Sequence, residues 1–446
     1  MKSYVPNTEK ERMEMLGELG MKSMDDLFTD IPEDLKLKRP LDLPEPMSEM
    51  ELRDQLFEYV SMNDEGGPLF RGAGAYRHYI PSLVPQLAAR SEFYTAYTPY
   101  QAEMSQGMLQ SLFEYQTVVC SLTGLDAANA SVYDGATAAA EAMLMLRDNK
   151  RKKKILYAAS LNPDVITVMK TYAHCAGLEL VEIPMTDKGV TDTAALTANL
   201  EGAAGYIAAN PNYYGNIEPM AGISTIVHSA NALLVAYVNP ISLGVLTRPG
   251  DYGADIAIGD GQPLGLPLAF GGPYVGFMAA TKKLMRNLPG RIAGETRDAE
   301  GNRVFVLTLQ AREQHIRREM ASSNICSNQM LCAIMASMYC CTMGPNGMRE
   351  VAEQNIDKAH ALAAKLCSID GVKLRYPETP FFNEFVIDVK NAAEIDKALA
   401  KYSITGGLVL KDGGMLWCAT EMNSADEFAF VCDIIQDTLD PMGGEE

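Results

Sequence analysis

No cysteine of this chain stands in a C-x-x-C pair, histidine occurs five times and tryptophan once, and no stretch approaches about 18 consecutive apolar residues. Each shortage excludes something. Nine scattered cysteines and five scattered histidines give no cluster with ligand spacing, so structural zinc is not expected. An odd, dispersed set of thiols, with Cys120, Cys332 and Cys432 among apolar neighbours, predicts reduced cysteines in a cytoplasm. Without a long apolar run a membrane span is excluded, and the polar start MKSYVPNTEKERMEML lacks the apolar core of a secretory signal. Positive charge is also short: 38 Lys and Arg face 57 Asp and Glu, a formal net charge of −19. A nucleic-acid or anionic-membrane partner would need clustered cations. The one basic run, Arg151-Lys152-Lys153-Lys154, suits the last turn of a helix.

What is present begins with length. The 446 residues can bury a large core and divide into two or three units. Residues 1–64 read as an arm of short helices and extended chain. Thr8-x-x-Glu11 and Ser48-x-x-Glu51 are capping boxes, and RPLDLPEP between them is held extended by its prolines. From about 65 to 107 the chain is aromatic and irregular. Met108, Leu109, Leu112, Phe113, Val119 and Leu122 then give a helical stripe closing near Gly124, and an alanine-rich helix follows YDGAT.

An alternation comes next. Strand 155–159 leads to a helix over 163–176, opened by Asn162-Pro163 and closed by Gly177, and then to strands LELVEIP and 205–209. A helix near 220–230 and strands 233–238, 255–259 and 274–280 complete it. Short apolar strands interleaved with helices predict an α/β unit, residues 65–344, around a mostly parallel sheet. A helix from about Ser327 to Met343 is expected to stop at Gly344-Pro345, and residues 345–446 read as a smaller α+β domain.

Several stretches could carry chemistry. Asp134-Gly135-Ala136-Thr137 opens a helix, where free N–H groups suit a phosphate; the alternative is a plain cap by Asp134. Asn212 in NPNYYG follows a strand at the edge where α/β proteins hold ligands, or simply makes a turn. Tyr97, Thr98, Tyr100 and Gln101 suit a small polar ligand, a partner surface or ordinary packing. In TLQAREQHIRREM, Glu313 and Arg317 lie at i, i+4 and predict an ion-paired helix face. The loop in IAIGDGQPLGLPLAFGGP is elaborate, yet carries no nucleophile, acid, base or metal ligand at its tip.

RGAGAYRHYIPSLV, YTPYQAEMSQGMLQSLFEYQ, YDGATAAAEAM, VNPISLGVL, GDGQPLGLPLAFGGPYVGF and REQHIRREMASSNIC, in this order, resemble the glycine cleavage system P-protein family, and within it the separately encoded first subunit. The resemblance spans the chain. It implies the aspartate-aminotransferase-like fold (fold type I) of pyridoxal phosphate (PLP) enzymes. It also implies a subunit of glycine decarboxylase, which releases CO₂ from glycine and passes the aminomethyl group to the lipoyl group of the H-protein. Such chemistry requires a lysine for the resting imine and an acid beside the pyridine nitrogen. By the resemblance the acid position falls on Asn239 and the lysine position at or next to Gln262. An amide supports neither role, so PLP is expected to be held covalently by a second P-protein subunit in an α₂β₂ assembly. Lys282 and Lys283, past the next strand and expected to open a helix, are poor substitutes. The likeness further implies that Gly271 and Gly272 offer backbone N–H groups to the partner's PLP phosphate, and that Tyr97, Thr98, Tyr100 and Gln101 line the shared cleft or the lipoyl path. The competing readings are an inert scaffold or regulatory subunit, and an autonomous PLP enzyme, which would need an amine where glutamine stands.

Overall fold

The computed structural model describes residues 6–63, 66–321, 323–325 and 327–440. The first five residues of the expected arm, and Ser322 and Cys326 of REQHIRREMASSNIC, lie outside them. The chain divides into two compact units, residues 1–64 and 65–446.

In the first unit both capping boxes form. Thr8 and Ser48 cap helices α1 (Glu9–Glu18) and α2 (Glu49–Ser61), each with its glutamate three residues on returning to the cap backbone. Leu16 is buried, whereas Leu35, Leu43, Met50, Phe57 and Met62 are exposed.

In the second unit α3 (Leu83–Ala88) and α4 (Ser91–Tyr94) are short, and α5 (Gln106–Thr123) follows the predicted stripe to Gly124. Seven strands build the large sheet: β1 (Ala127–Ala128), β2 (Lys154–Ala158), β3 (Glu179–Ile183), β4 (Ala203–Ala209), β5 (Leu233–Tyr237), β6 (Ile256–Asp260) and β7 (Gly276–Ala280). Their order is β1-β7-β6-β5-β4-β2-β3, parallel from β6 through β3, with β7 antiparallel to β6 and β1 to β7. Helices α6 (Gly135–Lys150), α7 (Pro163–Ala176), α8 (Thr193–Asn199) and α9 (Met220–Ser229) connect these strands. Asn162, Pro163 and Gly177 bound α7 as the sequence predicts. The small residues Ala138, Ala139, Ala140 and Ala142 bury the inner face of α6 in the core it shares with the sheet.

Three expectations are corrected. The strands β8 (Ile292–Arg297) and β9 (Arg303–Thr308) pair as a separate hairpin that periodicity did not reveal. The expected helix around Glu313 and Arg317 shrinks to one turn, α10 (Gln314–Arg317), and Glu313 turns toward His315 at 3.6 Å instead of pairing with Arg317. The helix expected to end at Gly344 continues as α11 (Met330–Leu366). Gly344, at φ +61°, only kinks it, because Pro345 can restart a helix at its first turn and the buried face resumes at Met348, Val351 and Ala352.

Beyond the kink lies a four-stranded antiparallel sheet, β10 (Lys373–Leu374), β11 (Glu384–Asp388), β13 (Met415–Cys418) and β12 (Leu408–Val409), with helices α12 (Ala392–Ala400) and α13 (Ala425–Leu439). Its core centres on Trp417, Phe385 and Phe428, and Phe70, from far upstream, fills it. Among the described residues no helix is long and apolar enough to cross a membrane.

Candidate functional site

Parallel strands leave their C-terminal ends at one edge of a sheet, and there side chains from several strands converge. Asn239, just beyond β5, borders a cavity of about 50 Å³ together with Tyr76, Tyr237, Asp260 and Glu384. Gln262, just beyond β6, is buried and bound on both sides of its amide. Its Nε2 donates to Tyr76 O and Leu266 O (both 2.9 Å), and its Oε1 accepts from Tyr76 N (2.8 Å). Glu384 reaches in from β11, accepting from Tyr76 Oη (2.7 Å) and Ala73 N (2.6 Å), and burial pushes its carboxyl up to about 7.

The start of α6 is closed from within. Asp134 Oδ1 accepts from Thr137 N (2.7 Å), which is the cap reading of YDGAT, and Asp260 Oδ2 accepts from Gly135 N (3.0 Å). A carboxylate of this chain therefore occupies the anion position that the helix terminus creates. Burial raises Asp260 to about 7 although the Gly135 and Gln262 N–H groups pull the other way. A Cβ at Gly135 would lie 2.3 Å from Tyr237 Oη, so even the glycine is needed for closure.

PLP does not fit here. About 50 Å³ is far below the roughly 300–1,000 Å³ of ordinary ligand pockets. The phosphate cradle is filled by Asp260, and Gln262 is spent on the main chain. Asn239 offers only an amide, whose Oδ1 accepts from Ile241 N (3.0 Å) and whose buried Nδ2 has no partner among the described residues. Lys282 and Lys283 open no α-helix, contrary to expectation, but precede a single 3₁₀ turn. Because β7 runs back along β6, pairing Ala280 with Ile256, both lysines sit at the opposite edge of the sheet. Asn212 is also spent: Nδ2 donates to Gly189 O and Glu218, and Oδ1 accepts from Tyr214 N and Asn216 N, so it builds a turn.

The glycine loop is a different surface. Between β6 and β7 the backbone turns left-handed at four successive residues, Ala269, Phe270, Gly271 and Gly272 (φ +44°, +54°, +106° and +139°). Two of these are not glycine, which stores strain. Tyr274 Oη braces the base at Leu268 O (2.9 Å), while Phe270 at the tip is 96 % exposed. At Gly272 a Cβ would be strained by φ and would crowd Tyr274 N at 3.3 Å. Pro273, ending the loop, lines a cavity of about 240 Å³ with Tyr97, Thr98, Asn328 and Cys332. The structure thus brings Tyr97 and Thr98 to the end of the glycine loop. Tyr100 faces Arg291 instead, and Gln101 is exposed ahead of a 3₁₀ turn.

Glu384, Asp260 and Arg291 escaped the sequence reading. A glutamate inside the apolar strand FNEFVIDV was the one visible signal for Glu384. Asp260 and Arg291 carried none, since their significance lies in contacts across the fold.

The family model of the glycine cleavage system P-protein matches residues 2–431. A protein of Moorella thermoacetica named probable glycine dehydrogenase (decarboxylating) subunit 1 is 50 % identical over 95 % of this chain and 97 % of its own length. One of the same name from Carboxydothermus hydrogenoformans is 51 % identical, over 91 % of each chain. Among solved structures, a glycine decarboxylase (P-protein) of the glycine cleavage system, in inhibitor-bound form, superposes with a TM-score of 0.91 at 42 % identity, covering 98 % of this chain and all of that one. A Burkholderia pseudomallei sphingosine-1-phosphate lyase (TM-score 0.67, 13 % identity, 92 % and 94 % covered) shares the fold. The architecture expected from the sequence, fold type I of PLP-dependent enzymes, is the one found.

Proposed function

The chain belongs to the glycine cleavage system P-protein family, and from that membership we propose that it is one of two unlike subunits of a cytoplasmic glycine decarboxylase, active only when the two are joined as α₂β₂. The joined enzyme decarboxylates glycine, releases CO₂ and passes the aminomethyl group to the lipoyl group of the H-protein. PLP, held covalently by the second subunit, supplies the electron sink for loss of CO₂.

The observation that carries this reading is the self-filled cleft. Gln262 clamps Tyr76, and Asp260 occupies the α6 terminus, so this cleft offers no free amine and no open phosphate cradle. Its contribution is then made at the partner's site. The glycine loop meets the partner's PLP phosphate, where the lack of Cβ at Gly271 and Gly272 allows close approach; their N–H groups donate to Leu268 O (3.0 Å) and Ala269 O (3.2 Å) in this chain, so phosphate binding exchanges these turn bonds. Tyr97 and Thr98 line the shared cleft, and Tyr100 and Gln101 border the path of the lipoyl arm. Residues 65–344 serve as the large domain and 345–446 as the small one. Residues 1–64, with their exposed Leu35, Leu43 and Met50, lie along the partner.

The test compares this chain alone, its companion alone and the mixture for glycine-dependent CO₂ exchange. Exchange is expected only in the mixture. Turnover by the isolated chain, or a borohydride-reducible PLP adduct on one of its lysines, would sink the proposal. An inert scaffold is distinguished by its tolerance: substitutions at Tyr97 and in the glycine loop would then leave turnover intact.

A further inference from the structure

Arg291, the residue before β8, is 3 % exposed in a chain whose net charge is −19. A buried guanidinium is ordinarily paired with a carboxylate, because an uncompensated interior charge is costly. Among the described residues none pairs with Arg291. Its Nη2 donates to Tyr100 Oη (3.1 Å), its Nη1 makes a long bond to Asn328 Oδ1 (3.4 Å), and its buried Nε has no acceptor. Cζ lies 5.2 Å from the centre of the Tyr100 ring, a cation–π contact that leaves the positive charge in place.

The surroundings add a second guanidinium. Arg312 is spent on carbonyls, Nη2 donating to Gly290 O (2.8 Å) and Nη1 to Leu288 O, and its Nε too is unpartnered. His315 stands edge-on to Tyr100 at 6.4 Å. Glu313, the neighbouring carboxylate, meets His315 with Oε2 at 3.6 Å, and its buried Oε1 has no partner among the described residues. Asn328 connects the group to open space. Its Nδ2 is fixed by Ala130 O (3.1 Å) and Ser131 Oγ (2.9 Å), and the residue forms part of the wall of the 240 Å³ cavity beside Thr98 and Pro273.

We propose that Arg291, one hydrogen bond behind the Asn328 wall of this cavity, anchors an oxyanion subsite there, with Tyr100 and Asn328 orienting the guanidinium, and that its ligand is a small carboxylate or phosphate. The planar fork of arginine suits both groups. Assigning that oxyanion to the substrate carboxylate or the cofactor phosphate rests on the shared-site reading above. The subsite itself does not.

Two measurements test it. The wild-type full chain is titrated with acetate or inorganic phosphate against chloride at matched ionic strength. A saturable rise in Tm is expected, absent in Arg291→Gln and reduced in Arg291→Lys. No anion-specific rise, or a rise that survives Arg291→Gln, overturns the proposal. In the assembled two-subunit enzyme, Arg291→Gln is expected to raise the glycine KM at least ten-fold more than it lowers kcat, with PLP affinity retained. A ten-fold loss of PLP affinity at unchanged glycine KM would instead identify the oxyanion as the cofactor phosphate. If anion stabilisation is present but neither constant moves, the subsite stands and the shared-site reading falls.

Discussion

Phe270 tests most directly whether the glycine loop is built for a partner. Its side chain is 96 % exposed, so truncation to alanine removes almost no internal contact. Stability of the isolated chain should stay within about 0.5 kcal/mol. The backbone supplies a second, opposite expectation. Phe270 holds φ +54° and ψ +29°, a conformation that costs an L-residue roughly 1–2 kcal/mol. Phe270→Gly should therefore stabilise the free chain by about 1 kcal/mol, which a thermal melt resolves. Against the partner the sign reverses. Burying a phenylalanine is worth about 1.5–3 kcal/mol, so both variants should weaken subunit association by roughly 10- to 150-fold at about 1.4 kcal/mol per decade. Isothermal titration of one subunit into the other reads this. An unchanged dissociation constant would refute the reasoning, as would a free chain destabilised by Phe270→Ala. Gly272→Leu is the poorer experiment, because φ +139° and the 3.3 Å approach to Tyr274 N would distort the loop whatever it touches.

Gln262→Lys restores the residue type an imine requires but not its setting. The lysine loses the acceptor for Tyr76 N and places a charge in a closed site, so the chain should lose about 2–4 kcal/mol and still form no borohydride-reducible adduct with PLP; a stoichiometric adduct would contradict the closed-cleft argument. Asp260 and Glu384 both titrate near 7 when folded, raised by burial above their ordinary values of 3.8 and 4.5. The native state then holds more protons than the unfolded chain between roughly pH 4 and 7, so these groups contribute stability that is complete below that window and lost as pH rises through it. Melting temperatures followed across this range should show a flatter slope in Asp260→Asn than in the wild type; a steeper one would show that the sign is wrong.

Local signals were legible where one segment decides its own conformation. The Asn162, Pro163 and Gly177 boundaries of α7, the capping boxes at Thr8 and Ser48, and the Asp134 cap each depend on groups a few residues apart. The Gly344-Pro345 pair misled because a proline that ends one helix also begins another, and only the buried stripe from Met348 to Leu366 decides between them. The β8–β9 hairpin was missed although Asp298 to Asn302 bounds a turn, since its strands alternate weakly.

By itself the amino-acid sequence determined the family, the α/β alternation and the absence of an amine after β6, because these are matters of residue identity and periodicity. Tertiary structure alone decided that Asp260 fills the α6 terminus, that Glu384 closes the cleft from another sheet, and that Arg291 stands buried against Tyr100 with no carboxylate partner among the described residues. Those facts depend on groups 125, 311 and 191 positions apart. No local preference encodes such distances, and they exist only once the chain has packed.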